Sequence, residues 1–506
     1  MPQQARSLTA ALSTAAEAPA AADAPALTTA ETGETLDYRR LVERVDELAR
    51  RLRGAGLERD DRVAIVLPNG PEFVELLLAV TTVGAAAAPL NPAYTAEEHR
   101  FYLADIAPKL LVLAEGKTPA AREALSGDSV LVELTPGRDR LELSASGRRL
   151  SATLPFEPAE PDDVALLLHT SGTTNRPKQV PLLHRNLVAS ALTVAECYQL
   201  TPADVSFCVM PLFHVHGLVA STLAPLVSGG SVLVARRLSP RRFWAQLADY
   251  GVTWLSAGPT LHHMLLDRGQ GSAAPPSLRF ARSCSSALSA ELFERCESSY
   301  GGPMLEAYGM TEASHQMTSN PLPPGDRFIG SVGVATGTEI AIADAYGAFL
   351  PAGAVGEVCI RGPGVTPGYL SNEEANETSF FDGWFRTGDQ GVLDGSGYLR
   401  LTGRIKELIL RGGENISPLE IEATLLDHPA VGDAVAFGIP DAKYGEEVAA
   451  AVSLTASASE SELVDFCRER LAAFKVPRAV HILAAIPRTP TGKVQRRRVA
   501  EAVSEG

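Results

Sequence analysis

The densest chemical signal in the chain is a run of hydroxyl side chains with one glycine and one lysine, Leu168-His-Thr-Ser-Gly-Thr-Thr-Asn-Arg-Pro-Lys-Gln-Val180. Such a segment suits phosphoryl oxygens. Gly172 and its short neighbours let backbone N–H groups close around a polyphosphate, Thr170, Ser171, Thr173 and Thr174 add hydroxyl donors, and Lys178 adds a point charge. The Gly-x4-Gly-Lys-Ser/Thr spacing of a Walker A loop is absent. The same composition also fits a plain polar surface loop. Four more groups follow: Tyr308-Gly309-Met310-Thr311-Glu312, Thr387-Gly388-Asp389, Gly403-Arg404-Ile405-Lys406-Glu407 and Pro490-Thr491-Gly492-Lys493. Taken singly, each is also readable as a buried ring, a Gly-Asp turn or a solvated lysine.

The elements that must position these residues follow from hydrophobic periodicity. Apolar residues at helical spacing over 38–58 predict an amphipathic helix, Arg62–Pro68 a buried strand, 71–84 a helix and 85–91 a further strand. The alternation recurs as strand 163–169, helix 184–198, strand 205–210, helix 217–227, strand 231–235, helix 240–250 and strand 253–256. This rhythm predicts an α/β fold with largely parallel sheets. Beyond residue 330, short β-like runs separated by Gly turns predict a β-rich subdomain. A compact last unit starts at 404, with helix 418–428, strands 432–438 and 447–454, helix 459–473 and strand 479–482. No internal repeat of fixed period is visible.

A length of 506 residues calls for two or more domains. With 45% hydrophobic and 21% charged residues, 43 Gly and 35 Pro, the composition is that of a loop-rich globular enzyme. A formal charge of −15 argues against a nucleic-acid partner. The basic run Lys493–Arg498 suits either a solvated face or a phosphate ligand. Six scattered cysteines, without a Cys-x-x-Cys pair, suggest neither a zinc site nor a disulfide framework and fit a cytoplasmic location. The Ala/Pro-rich N-terminus is a poor secretory signal, and no apolar stretch reaches the roughly 20 residues that span a bilayer, so no membrane partner is expected. The sequence leaves the oligomeric state open.

In their order and spacing, the five motifs resemble those of the acyl-adenylate-forming superfamily: acyl-CoA synthetases, aryl-CoA ligases, luciferases and nonribosomal adenylation domains. The resemblance covers essentially the whole chain after residue 25. It implies a flexible segment 1–25, a large adenylate-forming N-terminal domain 26–403 and a small mobile α+β C-terminal domain 404–506. It further implies that Tyr308 stacks on adenine beside Gly309, that Thr311 contacts phosphate, that Glu312 holds Mg²⁺, and that Asp389 accepts the ribose hydroxyls. Arg404 is implied near ribose and phosphate, Lys406 as the hinge, and Lys493 as the lysine that enters the site during adenylation. Two positions depart from the family's phosphate loop, Asn175 and Gln179, where glycine is usual.

The implied reaction has two halves in one site. The acid attacks the α-phosphate of ATP and pyrophosphate leaves; the C-terminal domain then rotates, and coenzyme A, the implied co-substrate, takes the acyl group as AMP departs. The acid pocket is assigned to Pro211–Gly217, to 256–263 and to the residues around Tyr308, with His214 between the acyl and thiol tunnels and His216, His262 and His263 as structural residues. Arg282–Leu288 matches the adenine-binding strand, which includes Ser285 and Ser286, and here Cys284 and Ser285 replace two glycines. A small polar pocket follows, with Ser283, His214 and His315 as donors. Together with His315 and Asn320, this segment resembles the plant and fungal oxalyl-CoA synthetases. Two alternatives are a nitrite-adenylating diazotase acting on an aryl amine and a non-catalytic nucleotide-binding relic.

Overall fold

The computed structural model describes residues 6–16, 22–137, 140–170, 177–269, 277–488, 494 and 496–504. Parallel strands dominate two large sheets. In the eight-stranded sheet the strands Val164–His169, Ala86–Pro89, Arg62–Val66, Leu110–Ala114 and Val130–Pro136 run parallel side by side, and Gln179–Leu183 adds an antiparallel edge. The nine-stranded sheet places Val205–Cys208, Trp254–Ala257, Phe280–Ser283 and Met304–Met310 in parallel, then turns back through His315–Ser319. Helices cover such sheets, so their strands are apolar on both faces: Val63, Ala64, Ile65 and Val66 are all fully buried. The helix Tyr38–Gly54 is capped by the Asp37 carboxylate, which accepts from the Arg40 amide, and presents Leu41, Val45, Leu48 and Leu52 to the core.

Residues 339–404 form an antiparallel five-stranded sheet, and residues 409–482 form a second five-stranded sheet, antiparallel except where Gly445–Leu454 pairs in parallel with Ala479–Ile482, with its own core of Ile409, Ile416, Ile421, Leu425, Val448, Val452, Leu463 and Val480. The architecture is therefore α/β with a large N-terminal part of parallel sheets, a β-rich subdomain and a small α+β C-terminal part. No helix of the described residues is long and apolar enough to cross a membrane.

Three local differences from the sequence reading have physical causes. In the segment 1–25, Leu8–Ala16 is a helix whose Leu8 and Leu12, one turn apart, are buried, and the Leu8 amide donates to His184 Nδ1 at 3.0 Å. Its small residues gave no amphipathic signal. The expected α-helix 217–227 is a π-helix over His216–Leu223 followed by an α-helical turn Ala224–Val227. There Gly217 lies so close to Pro211 that a Cβ would sit 2.3 Å from its carbonyl oxygen. The expected helix 459–473 ends at Arg468.

Candidate active site

The proposed phosphate loop is held between two antiparallel strands, with His169 opposite Gln179 and the Thr170 amide donating to the Lys178 carbonyl at 3.0 Å. Thr170 and Lys178 thus face each other at the mouth of the loop. Ser171, Gly172, Thr173, Thr174, Asn175 and Lys493 lie outside the described residues. The Lys178 ammonium sits 4.3 Å above the ring of Tyr369, whose hydroxyl donates to Glu312 Oε1 at 2.9 Å. Partial burial and the nearby Lys406 lower the Lys178 pKa, while the Glu312 charge opposes them. The hinge candidate Lys406 and the candidate metal ligand Glu312 therefore share one locality with the loop.

Tyr308 and Gly309 end the strand Met304–Met310, and a 3-10 turn at Thr311–Ala313 carries Thr311 and Glu312. Gly309 permits a close approach: a Cβ there would lie 2.1 Å from the His315 carbonyl oxygen. The Tyr308 hydroxyl donates to Asp389 Oδ2, and Arg404 Nε donates to Asp389 Oδ1 at 2.9 Å. Asp389 and Arg404 meet because they pair directly across two antiparallel strands. Burial, reinforced by the Asp389 charge, holds the Tyr308 phenol well above its ordinary pKa, so it remains a donor. Among the described residues no cluster of three His, Cys, Asp or Glu could hold a metal. One carboxylate, Glu312, beside a phosphate loop is the donor set that suits Mg²⁺, which takes most of its ligands from phosphate and water.

On the acid side the organising residue is one the sequence reading passed over. Arg282 is fully buried, and its N–H groups face five neutral acceptors: Tyr198 Oη at 2.7 Å, Ser256 Oγ at 2.7 Å, His216 Nε2 at 3.4 Å, His315 Nε2 at 2.9 Å and Gln316 Oε1 at 3.1 Å. No carboxylate among the described residues pairs with it. A guanidinium only donates, which fixes the protons around it. Arg282 also faces His216 Nε2 with an N–H, so that nitrogen is the acceptor and Ser256 Oγ, 2.6 Å away, donates to it; His216 then carries its proton on Nδ1 and donates to Ser285 Oγ at 2.9 Å. The Ser285 hydroxyl proton is left to point elsewhere, and Ser285 is exposed. By the same logic His315 accepts at Nε2 and is a donor at Nδ1. Burial, with Arg282 adding to it, holds both imidazoles well below the ordinary histidine range, so both are neutral.

Several expected pocket residues fall elsewhere. His216, expected as structural, links Arg282 to Ser285, and its ring stacks on that of His315 at 5.1 Å. Ser283 follows Arg282 in the same strand, so alternation turns its side chain to the opposite sheet face from the guanidinium. Asn320 spends its amide on the Glu306 and Ser331 carbonyls and the Phe328 amide, and so ties loops together. His262 supports the site from behind, contacting Tyr300 and the Arg282 carbonyl, and His263 pairs with Asp267 on the outer side of its helix. Cys284 is buried beside Arg282, Ser286 is exposed next to Ser285, and His214 lies half-buried against Phe213 near His216. The stretch Leu278-Arg-Phe-Ala-Arg-Ser283 carries two arginines, and nothing in the sequence separates the buried Arg282 from Arg279, which pairs with Asp204.

Comparison with known proteins agrees along the whole length. Residues 14–370 match the model for AMP-binding enzymes and residues 420–493 that for the AMP-binding enzyme C-terminal domain. The chain is 47% identical to an oxalate–CoA ligase of Arabidopsis thaliana, covering 92% of this chain and 93% of that one. It is 40% identical to a sulfoacetate–CoA ligase of Cupriavidus necator, covering 94% of each. The structure superposes on the ATP-bound MatB from Rhodopseudomonas palustris with a TM-score of 0.88 over 99% of both chains, at 31% identity.

Proposed function

The chain belongs to the AMP-binding enzyme family as an AMP-forming acid–CoA ligase, and from that premise we propose that the acid it activates is a two-carbon dianion, oxalate in the first place. The observation that carries this reading is the buried, carboxylate-free Arg282 with its two chains of donors ending at Ser285 and His315. A buried cation without a counter-charge costs several kcal/mol, roughly, and favours an anion nearby. A second anionic group on a short acid supplies that charge, and the pocket meets it with donors. Both relatives named above act on such acids, which supports the same choice. The diazotase and relic readings are not favoured, because these relatives are CoA ligases and Glu312, Asp389, Arg404 and Lys493 are all present.

In the proposed reaction one carboxylate oxygen attacks the α-phosphorus of ATP, the bond to the β-phosphate bridge breaks, and pyrophosphate leaves. Lys178 and Thr170 hold the phosphates, Tyr308 packs on the adenine, and Asp389 takes the ribose hydroxyls. Lys493 offsets charge on the α-phosphate, a contact of a kind worth about 10²- to 10³-fold in rate. Glu312 would hold Mg²⁺, which would supply Lewis-acid charge to the phosphate oxygens. The thiolate of coenzyme A then attacks the acyl carbon and AMP departs, after the C-terminal domain turns about Lys406.

A pyrophosphate-release screen tests the reading with oxalate, sulfoacetate, acetate, benzoate and nitrite, each alone, with coenzyme A and with an aryl amine. Oxalate with coenzyme A is expected to turn over at least tenfold, roughly, above acetate and benzoate. A preference for acetate or benzoate, or release only with nitrite and an aryl amine, sinks it.

A further inference from the structure

Gln179 is the departure from the family's phosphate loop with the clearest structural consequence. It lies at the foot of the loop, directly across the antiparallel pair from His169, so both side chains stand on one face of the hairpin. Both reach the same residue. Gln179 Nε2 donates to Asp105 Oδ2 and to the Asp105 carbonyl, each at 2.6 Å, and His169 Nε2 lies 2.9 Å from that same Oδ2. Asp105 sits in the last turn of the helix Ala96–Ile106, outside the loop altogether. Burial lowers the His169 pKa against the pull of Asp105, so the ring is neutral and donates to the carboxylate through Nε2. The clamp is also wedged: the His169 ring meets Tyr102 edge-on at 4.8 Å, and Tyr102 stacks on Tyr94 at 5.0 Å.

We propose that Gln179, acting with Asp105, is a positioning residue for ATP: it locks the two stems of the phosphate loop to one helix and so presets Thr170 and Lys178, the residues adjoining the clamp. The inference rests on the reading of this loop as the phosphate site. Glycine at position 179 would keep the backbone bonds, including the Leu370 amide to the Gln179 carbonyl at 3.0 Å, but would supply no side chain to bind the carboxylate. The backbone there is ordinary strand and makes no demand for glycine. The clamp therefore has one beneficiary, the geometry of the residues on either side of it. Ordering them before ATP arrives removes part of the cost of binding it.

The test measures KM for ATP, oxalate and coenzyme A, kcat and Tm for Gln179→Gly, Asp105→Ala and the double variant of the full chain. Each single variant is expected to raise KM for ATP about fivefold, with KM for oxalate and coenzyme A within about twofold. The double variant should be no worse than the worse single one, since both remove the same contact. An unchanged KM for ATP, multiplicative effects in the double variant, or a rise in all three KM values together with a lower Tm would overturn the proposal. Lys178→Ala separates the premise from the inference: if it leaves KM for ATP unmoved, the phosphate-loop reading itself fails.

Discussion

Arg282 and Arg404 both end near the hairpin formed by Met304–Met310 and His315–Ser319, the first against His315 and the second beside the Tyr308–Asp389 pair, yet their charges are handled in opposite ways. Arg404 is 46% exposed on its side chain and pairs with a carboxylate; Arg282 is fully buried, and its partners among the described residues are neutral. The Asp389–Arg404 pair is thus internally balanced, so a ligand there must exchange with existing contacts: a ribose reaching Asp389 competes with Tyr308 and Arg404. The acid side carries an uncancelled positive charge relayed through neutral groups, so a ligand there completes the electrostatics. In the proposed site, the surroundings of Asp389 suit a neutral sugar hydroxyl and those of Arg282 an anion.

Replacing Arg282 is the strongest way to break this contrast. Arg282→Met removes the charge and releases the tautomer control on His216 and His315, and kcat/KM for oxalate should fall about 10²- to 10³-fold. KM for ATP should stay within about threefold, because no ATP-side group among the described residues bonds to Arg282. Arg282→Lys keeps the charge but not the fork of donors and should fall in between. Equal losses for oxalate and ATP would mean that Arg282 holds the fold and not the acid.

The opposite perturbation is Asp389→Asn, which makes the nucleotide side neutral at its acceptor while keeping its shape. KM for ATP is expected to rise about 30-fold, roughly the 2 kcal/mol of a hydrogen bond to a charged group, with discrimination between oxalate and acetate unchanged. If the oxalate-to-acetate ratio moves instead, the two halves are not electrically separate.

This contrast also shows what a sequence reveals. The residues proposed for the nucleotide side stand in short local motifs that the sequence displays directly: Tyr308 to Glu312 and Thr387 to Asp389 are contiguous, and only their meeting needed the fold. The acid side was not legible in this way, because the partners of Arg282 come from Tyr198 just past the helix His184–Cys197, the π-helix holding His216 and the strands holding Ser256 and His315. No spacing along the chain connects them. The strand and helix alternation was readable from periodicity, whereas the π-helix at His216 accompanies a close approach of Gly217 to Pro211, and the helix at Leu8–Ala16 packs Leu8 and Leu12 beside the small Ala11 and Ala15. Gln179 was visible only as a departure; its meaning required Asp105.

The smallest expected effect tests the last link of the acid-side relay. Ser285 has a φ of +81°, in the left-handed region where a side chain costs about 1 kcal/mol relative to glycine, and glycine is what the family usually places there. The hydroxyl offsets that strain by continuing the chain from His216 into the site. Ser285→Gly should therefore leave the protein as stable or more so, by up to about 1 kcal/mol after the extra freedom of glycine in the unfolded chain is subtracted. KM for oxalate should nevertheless rise about fivefold, since one charge-assisted hydrogen bond is lost from an exposed position that water partly refills. Acetate, which brings no second anionic group, should be used no worse than before. A variant that is less stable, or that loses acetate and oxalate in equal proportion, would show that Ser285 is held in its strained conformation for packing, and that the donor chain from Arg282 ends at His216.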